Sequence, residues 1–253
     1  MQPVDHSPLD ERGEAADGPA VLVLHGFTSG PHSVRDWARG LLPVAQRVSI
    51  PVLPGHASTW QQLARVRADQ WRAAVREHVD TLMAAHDRVV VAGLSMGGAL
   101  ALDAAAHRDL AGCIVVNPSL VFGQRIAHAA PVLRWLVPSV APIANDAVTD
   151  VNEGAYARTP VAGVAQVGAL HRAVRRELGA IRCPVQSFYS VDDHVVPTRS
   201  QDVLLRGARH ARVQQVRLTE SFHVATMDRD LPRIIDESRA FIAGLPSRGE
   251  RGA

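Results

Sequence analysis

Residues 88–98 read Arg88-Val89-Val90-Val91-Ala92-Gly93-Leu94-Ser95-Met96-Gly97-Gly98, and the fold follows from how that stretch divides. Three consecutive valines make a continuous, β-branched apolar run, which suits a strand buried on both faces. The residues after Gly98 are Ala99-Leu100-Ala101-Leu102-Asp103-Ala104-Ala105, strong helix formers. Between them Gly93-Leu94-Ser95-Met96-Gly97 matches G-x-S-x-G in the strand–turn–helix setting that a nucleophile elbow requires. The need for glycine is steric: a sharp turn exposes the serine hydroxyl only where the neighbours two residues away lack bulk.

Working outward, the same alternation recurs. Ala20–Leu24 is a second continuous apolar run, ending in the turn His25-Gly26-Phe27-Thr28-Ser29-Gly30. A strand near Arg47 to Leu53 runs into Pro54-Gly55-His56. Asp69 is placed to cap a helix reaching about His86, with Trp71, Val75, Val79, Leu82 and Met83 on one face. Strands at Gly112–Val116, Val185–Tyr189 and Val213–Leu218 follow, with a last helix around Leu231 to Leu245. The class is α/β, a mostly parallel central sheet with helices on both faces. Residues 19–117 and 180–246 are expected to form that core. Residues 118–179 contain no convincing strand and many prolines, so they are expected to form a cap over one edge of the sheet. Residues 1–18 and 247–253 read as flexible tails.

Composition limits the chemistry. All 27 residues in the Lys+Arg count of the 253-residue chain are Arg. Without lysine there is no P-loop nucleotide site, no Schiff-base or pyridoxal-phosphate chemistry, and no lysine-activated serine. A formal charge of +2 with 25 acidic residues is too balanced to suggest a nucleic-acid partner. Cys113 and Cys183 read as buried thiols, and neither a metal nor a cofactor is expected. The N-terminus lacks an apolar signal region, and the apolar stretch Ile126 to Ala144 is broken by Pro131, Pro138 and Pro142. No transmembrane segment and a cytoplasmic location are therefore expected.

A serine hydroxyl needs a base, and the base needs an acid to fix its tautomer. In a nucleophile-elbow fold the acid and the histidine follow the serine in that order, past the ends of later strands. Ser190-Val191-Asp192-Asp193-His194 and Glu220-Ser221-Phe222-His223 occupy those places. Asp193 and His223 are the leading pair. Spacing alone does not separate Asp192 from Asp193, and His194 is a competing base. His210 reads as exposed, and His25 as a brace for its own loop. The oxyanion of acyl transfer would be received by the N–H groups of Met96, after the nucleophile, and Phe27, in the loop after the first core strand.

Five segments in order resemble the α/β-hydrolases, and within them the bacterial monoacylglycerol lipase and small-cap carboxylesterase group. They are Leu24-His25-Gly26-Phe27-Thr28, Leu53-Pro54-Gly55-His56, Gly93 to Gly98, Asp193-His194-Val195-Val196-Pro197 and Ser221-Phe222-His223-Val224-Ala225-Thr226. The resemblance spans about residues 20 to 244. It implies Ser95 as nucleophile, Asp193 over Asp192 as acid, His223 as base, and Phe27 and Met96 as oxyanion donors. It also implies Glu153, in Val151-Asn152-Glu153-Gly154, as a contact for a glycerol head, against the alternative of a solvated carboxylate. Ile143 becomes an acyl-channel residue, against simple packing. Ala57 stands where the family's turn usually has a further Gly, and Ser29-Gly30 reverses the family's usual Gly-Ser order.

The implied function is a serine hydrolase cleaving carboxylic esters of lipid-like substrates through an acyl-enzyme. Thioesterase, acyltransferase and carbon–carbon hydrolase activities share the triad, and a non-catalytic receptor shares the fold. The cap's apolar residues Leu120, Val121, Phe122, Ile126, Val132, Leu133, Trp135, Leu136 and Val137 are expected to bury the acyl chain. Transient contact of the cap with a membrane surface is a further expectation. Any cap contact to an anion would fall to Arg172, Arg175 or Arg176.

Overall fold

The computed structural model describes residues 4–143 and 145–246; the expected C-terminal tail, 247–253, lies outside them. The strands are β1 (Leu9–Arg12), β2 (Ala20–Leu24), β3 (Arg47–Ile50), β4 (Val89–Leu94), β5 (Gly112–Val116), β6 (Ser139–Val140), β7 (Thr159–Pro160), β8 (Val185–Ser190) and β9 (Val213–Leu218). The helices are α1 (Arg35–Gly40), α2 (Trp60–Leu63), α3 (Ala68–Ala85), α4 (Met96–His107), α5 (Ala130–Leu133), α6 (Val161–Glu177), α7 (Arg199–Gly207) and α8 (Leu231–Ala243). A seven-stranded sheet runs β1-β3-β2-β4-β5-β8-β9. All its pairings are parallel except β1 with β3.

Every residue of β2, β4 and β5 is buried, because helices cover both faces. Val89 and Val91 of β4 pack toward Trp71, Val75 and Val79 of α3 and Leu100 of α4. Val90, Ala92 and Leu94 face the opposite layer, with Trp37 of α1 and Ile234 of α8. This two-residue alternation makes one strand the shared floor of two cores. In register, Leu24 lies beside Gly93 and Gly93 beside Val115, so β2, β4 and β5 end together under one rim.

Three expectations change. The segment read as a loose N-terminal tail supplies the edge strand β1, with Leu9 opposite Ile50 and Arg12 opposite Arg47. An edge strand wet on its outer side needs little apolar content; here Leu9 alone is buried. Helix α3 begins at Ala68 rather than behind Asp69: Gln70 Oε1 accepts the Arg67 N–H at 2.9 Å, while Asp69 pairs with Arg67 inside the first turn. Met83, expected on its buried face, is exposed.

The segment 118–179 is not wholly separate from the core, although Ala130 of α5 packs with Val161 and Ala165 of α6 within it. Its last helix, α6, joins the main core through Val167, Leu170 and Val174, packing with α3 and α4. What stands off the sheet is the stretch before it, with α5 and the two-residue pair β6–β7. Within that stretch Ile126, Val132, Trp135 and Leu136 are 65–79% exposed, contrary to the expectation that they bury an acyl chain.

One charged cluster ties these layers. Asp103 of α4, 1% exposed, receives Arg72 at 2.8 Å and Arg76 at 3.1 Å, both from α3; Arg72 also reaches Glu177 of α6 at 2.7 Å. Asp103, His107 and Glu177 also come close enough to suggest metal ligands, but the two guanidinium groups already neutralise the carboxylates. Removing a carboxylate from such a site strands its cationic partners. Asp103→Ala is expected to lower stability by about 3 kcal/mol, read as a fall in the urea midpoint. An unchanged midpoint would show that the cluster contributes nothing net.

Candidate active site

Ser95 joins β4 to α4 with φ 56° and ψ −115°, a conformation that costs a non-glycine residue about 1–3 kcal/mol. Its surroundings hold it there. Its N–H donates to the Val116 carbonyl at 2.9 Å, and its own carbonyl accepts the N–H groups of Ala99 and Ser119. A Cβ on Gly93 would overlap the Gly97 carbonyl, and one on Gly97 would overlap the carbonyl of Leu24. Both motif glycines are thus needed for close approach between backbones.

Two loops complete the constellation. Asp193 follows β8, and its Oδ1 accepts the N–H groups of Val195 at 2.8 Å and Val196 at 2.7 Å. That leaves Oδ2 for His223 Nδ1, 2.7 Å away. His223 follows β9, and its Nε2 lies 2.9 Å from Ser95 Oγ. An ionised carboxylate only accepts, so Nδ1 carries the proton and Nε2 is free to accept from the serine hydroxyl. Burial opposes charging of the His223 ring, yet the carboxylate of Asp193, with Glu153 and Asp146 beyond it, outweighs this and raises its pKa above the ordinary histidine value. Asp192 is exposed. His194 turns its ring to Asp146, Nδ1 to Oδ1 at 2.8 Å, rather than to Ser95.

Residues 21–252 match the model of the alpha/beta hydrolase family. The chain belongs to that family. It is 36% identical over 236 residues to the thermostable monoacylglycerol lipase of Bacillus sp. (strain H-257), covering 90% of this chain and 92% of that one. A solved structure reported with the metagenome-derived lipolytic enzymes LipS and LipT superposes with a TM-score of 0.88 at 30% identity, covering 94% of this chain and 97% of the other. A soluble variant of monoglyceride lipase from Saccharomyces cerevisiae shares the fold, with a TM-score of 0.77 at 11% identity over 95% and 92% of the two chains.

In this hydrolase a cavity of about 130 Å³ opens above Ser95. Phe27 and Met96 line it. Met96 is the first residue of α4, so its N–H has no acceptor within the helix. The loop carrying Phe27 is braced by His25, whose Nδ1 bonds the Gly26 carbonyl at 2.9 Å while Nε2 accepts the Leu53 N–H at 3.2 Å. Burial pushes the His25 pKa well down, which keeps the ring neutral and able to do both.

The rest of the wall divides by chemistry. Val121, Phe122, Val164 and Val167 form an apolar side. Glu153 stands on the same cavity, 7% exposed, so it is not a solvated surface carboxylate. Burial raises its pKa, against the N–H of Asn145 that it accepts at 2.7 Å. Ile143 lines the cavity too and is 41% exposed.

Two residues here escape any reading of motifs. Asn117, at φ 45°, donates from Nδ2 to the His223 carbonyl at 2.9 Å and to Ser190 Oγ at 3.0 Å, and its Oδ1 accepts the Ser190 N–H at 2.7 Å. It lashes the ends of β5 and β8 to the His223 loop. Its position just past β5, before Pro118, was the available signal. Asp228 accepts the N–H groups of Val148 at 2.8 Å and Phe222 at 3.2 Å, joining the His223 loop to the insertion. No local pattern marks it.

Proposed function

We propose that this chain is a carboxylic ester hydrolase acting on monoacyl esters of glycerol through an acyl-enzyme at Ser95. The observation that carries this is the unbroken hydrogen-bonded line from Ser95 Oγ through His223 to Asp193. As Ser95 Oγ attacks the ester carbonyl, His223 Nε2 takes its proton and Asp193 stabilises the resulting imidazolium. The carbonyl oxygen becomes an oxyanion, received by the N–H groups of Phe27 and Met96. The carbon–oxygen bond to the alcohol then breaks, and His223 returns the proton to the departing alkoxide. Water, deprotonated by the same nitrogen, adds to the acyl carbon and releases the carboxylic acid and free Ser95.

The division of the wall supports the substrate class. The apolar side suits an acyl chain, and Glu153 offers acceptor oxygens to glycerol hydroxyls beside the reacting bond. The relatives described as monoacylglycerol or monoglyceride lipases point the same way. Ser95→Ala is expected to lower ester turnover by about 10⁴-fold or more with the fold intact. Parent-rate hydrolysis by that variant would end the proposal. Glu153→Ala is expected to raise KM for monoacylglycerol about tenfold, a bonding loss of about 1.4 kcal/mol, while KM for a p-nitrophenyl ester without a glycerol head changes by less than about twofold. Equal effects on both substrates would remove Glu153 from head-group recognition.

The exposed apolar group Ile126, Val132, Trp135 and Leu136 supports a second element of the same reading, contact between the insertion and a lipid surface. No helix among the described residues is long and apolar enough to cross a membrane, so such contact would be peripheral. Replacing Trp135 and Leu136 together by Ser is expected to cut co-sedimentation with phosphatidylcholine vesicles about tenfold while turnover of a soluble short-chain ester stays at the parent level. Undiminished co-sedimentation would place the contact elsewhere.

A further inference from the structure

We propose that Asp146, carried by the insertion, is a positioning residue that grips both loops bearing the acid and the base and so sets the attitude of the His223 ring. The inference rests on the triad reading above. It extends that reading to a residue outside the serine, histidine and aspartate.

Asp146 makes contacts on both sides of the triad. Its Oδ2 accepts the backbone N–H of His223 at 3.2 Å. The same oxygen accepts the N–H of His194, the residue after Asp193, also at 3.2 Å. Its Oδ1 meets His194 Nδ1 at 2.8 Å, and its backbone carbonyl accepts the Val224 N–H at 2.9 Å. The acid's loop and the base's loop are therefore stapled by one side chain from a third segment.

The peptide groups of His223 are held on two sides. Asp146 takes the N–H from the insertion, and Asn117 takes the carbonyl from the core at 2.9 Å. With both fixed, the backbone of this loop residue cannot pivot, and its ring is delivered 2.9 Å from Ser95 Oγ and 2.7 Å from Asp193. Bonds to an ionised acceptor are stronger than neutral ones, which suits a carboxylate in this place.

Asp146 is itself held. Two residues on, Val148 donates its N–H to Asp228 at 2.8 Å, and Thr149 bonds the same carboxylate through its hydroxyl at 2.9 Å. On the other side Asn145 and Glu153 exchange bonds, Asn145 N–H to Glu153 Oε1 at 2.7 Å and Glu153 N–H to Asn145 Oδ1 at 3.1 Å. The stretch 145–149 is fastened at one end to Glu153 on the cavity and at the other to Asp228. The Asp146 side chain is 17% exposed, so water competes only partly for the carboxylate.

The charge on Asp146 has a separable effect. The carboxylates acting on His223 are those of Asp193, Glu153 and Asp146, and against burial they raise its pKa. Asp192 and Asp193 act with Asp146 on His194, whose pKa is raised chiefly by its hydrogen bond to Asp146. Catalysis needs neutral His223, so the acid limb of kcat/KM is expected to follow its pKa, which these carboxylates raise. Removing the Asp146 charge destabilises the imidazolium and moves that limb to lower pH.

The experiment compares the parent, Ser95→Ala, Asp146→Ala and Asp146→Asn. Each is followed by kcat and KM for a short-chain p-nitrophenyl ester across pH, by the rate of labelling with a fluorophosphonate probe, and by thermal midpoint. Asp146→Asn keeps an oxygen to accept both N–H groups and an amide to face His194, but loses the charge. Asp146→Ala loses both. In Asp146→Ala we expect kcat to fall about tenfold to a hundredfold with KM changed by less than about twofold, and slower labelling of Ser95. Asp146→Asn is expected to recover most of kcat, and both variants are expected to shift the acid limb downward. Parent kcat and an unmoved acid limb in Asp146→Ala would overturn the inference. So would equal damage in both variants accompanied by equal losses of thermal midpoint, which marks a purely structural residue. If the parent were not labelled, or Ser95→Ala kept its turnover, the triad reading itself would fail, a result distinct from any Asp146 phenotype.

Discussion

The structure depends on one strained residue. Ser95 must hold a left-handed φ of 56° at the point where a strand becomes a helix, and nothing in its own side chain favours that state. The stabilisation comes from its neighbours: bonds to Val116, Ala99 and Ser119, and the absence of any Cβ at Gly93 and Gly97, which lets β4, α4 and the end of β2 close on each other. The sheet register sets up the same meeting, since Leu24, Gly93 and Val115 lie side by side. A hydroxyl raised in this way stands clear of both cores and can be approached by groups from loops far along the chain.

Those loops need holding, and the structure uses buried polar side chains to do it. Asn117 bonds upward to Ser190 and His223, Asp193 closes its own turn through Val195 and Val196, and Asp228 binds the insertion to the His223 loop. Each satisfies backbone groups that would otherwise be buried without partners at the ends of strands. The insertion divides along the same line. Its stretch around residues 145–153 is bonded to the loops bearing Asp193 and His223, while Trp135 and Leu136 stand 78% and 79% exposed on its outer side. The insertion thus gives the cavity both apolar lining, from Val121, Phe122 and Ile143, and the bonded carboxylates Asp146 and Glu153, while its outer side carries exposed apolar residues.

What was legible in the sequence was what is local. The valine run, the glycines about Ser95 and the helix after it each follow from short-range sterics and periodicity, and the sheet order then brings His223 and Asp193 to the serine. Strand β1 is not legible in the sequence, because an edge strand with one buried residue, Leu9, is polar by necessity. The place of helix α6 against the core is not legible either, because its apolar spacing says that one face is covered but not what covers it. The exposure of Trp135 and Leu136 was hidden for the same reason: apolar character does not tell a core from a lipid-facing surface. Asp146 was invisible because its bonds run to residues 48 and 77 positions away.

The missing lysines acquire a physical meaning at the cavity. Every permanent cation in the chain is an arginine, and among the described residues no arginine lines the space above Ser95. The guanidinium groups of Arg72 and Arg76 are instead engaged by Asp103 on the helical layer. The cavity is left with carboxylates, Glu153 and Asp146, and with the imidazoles of His194 and His223. A fixed cation beside His223 would depress its pKa, whereas the carboxylates raise it. In the reaction we propose, the oxyanion is met by dipoles rather than by a charge, the role proposed for the backbone N–H groups of Phe27 and Met96. With no arginine there, the ionisable side chains that line the cavity among the described residues are carboxylates and imidazoles alone.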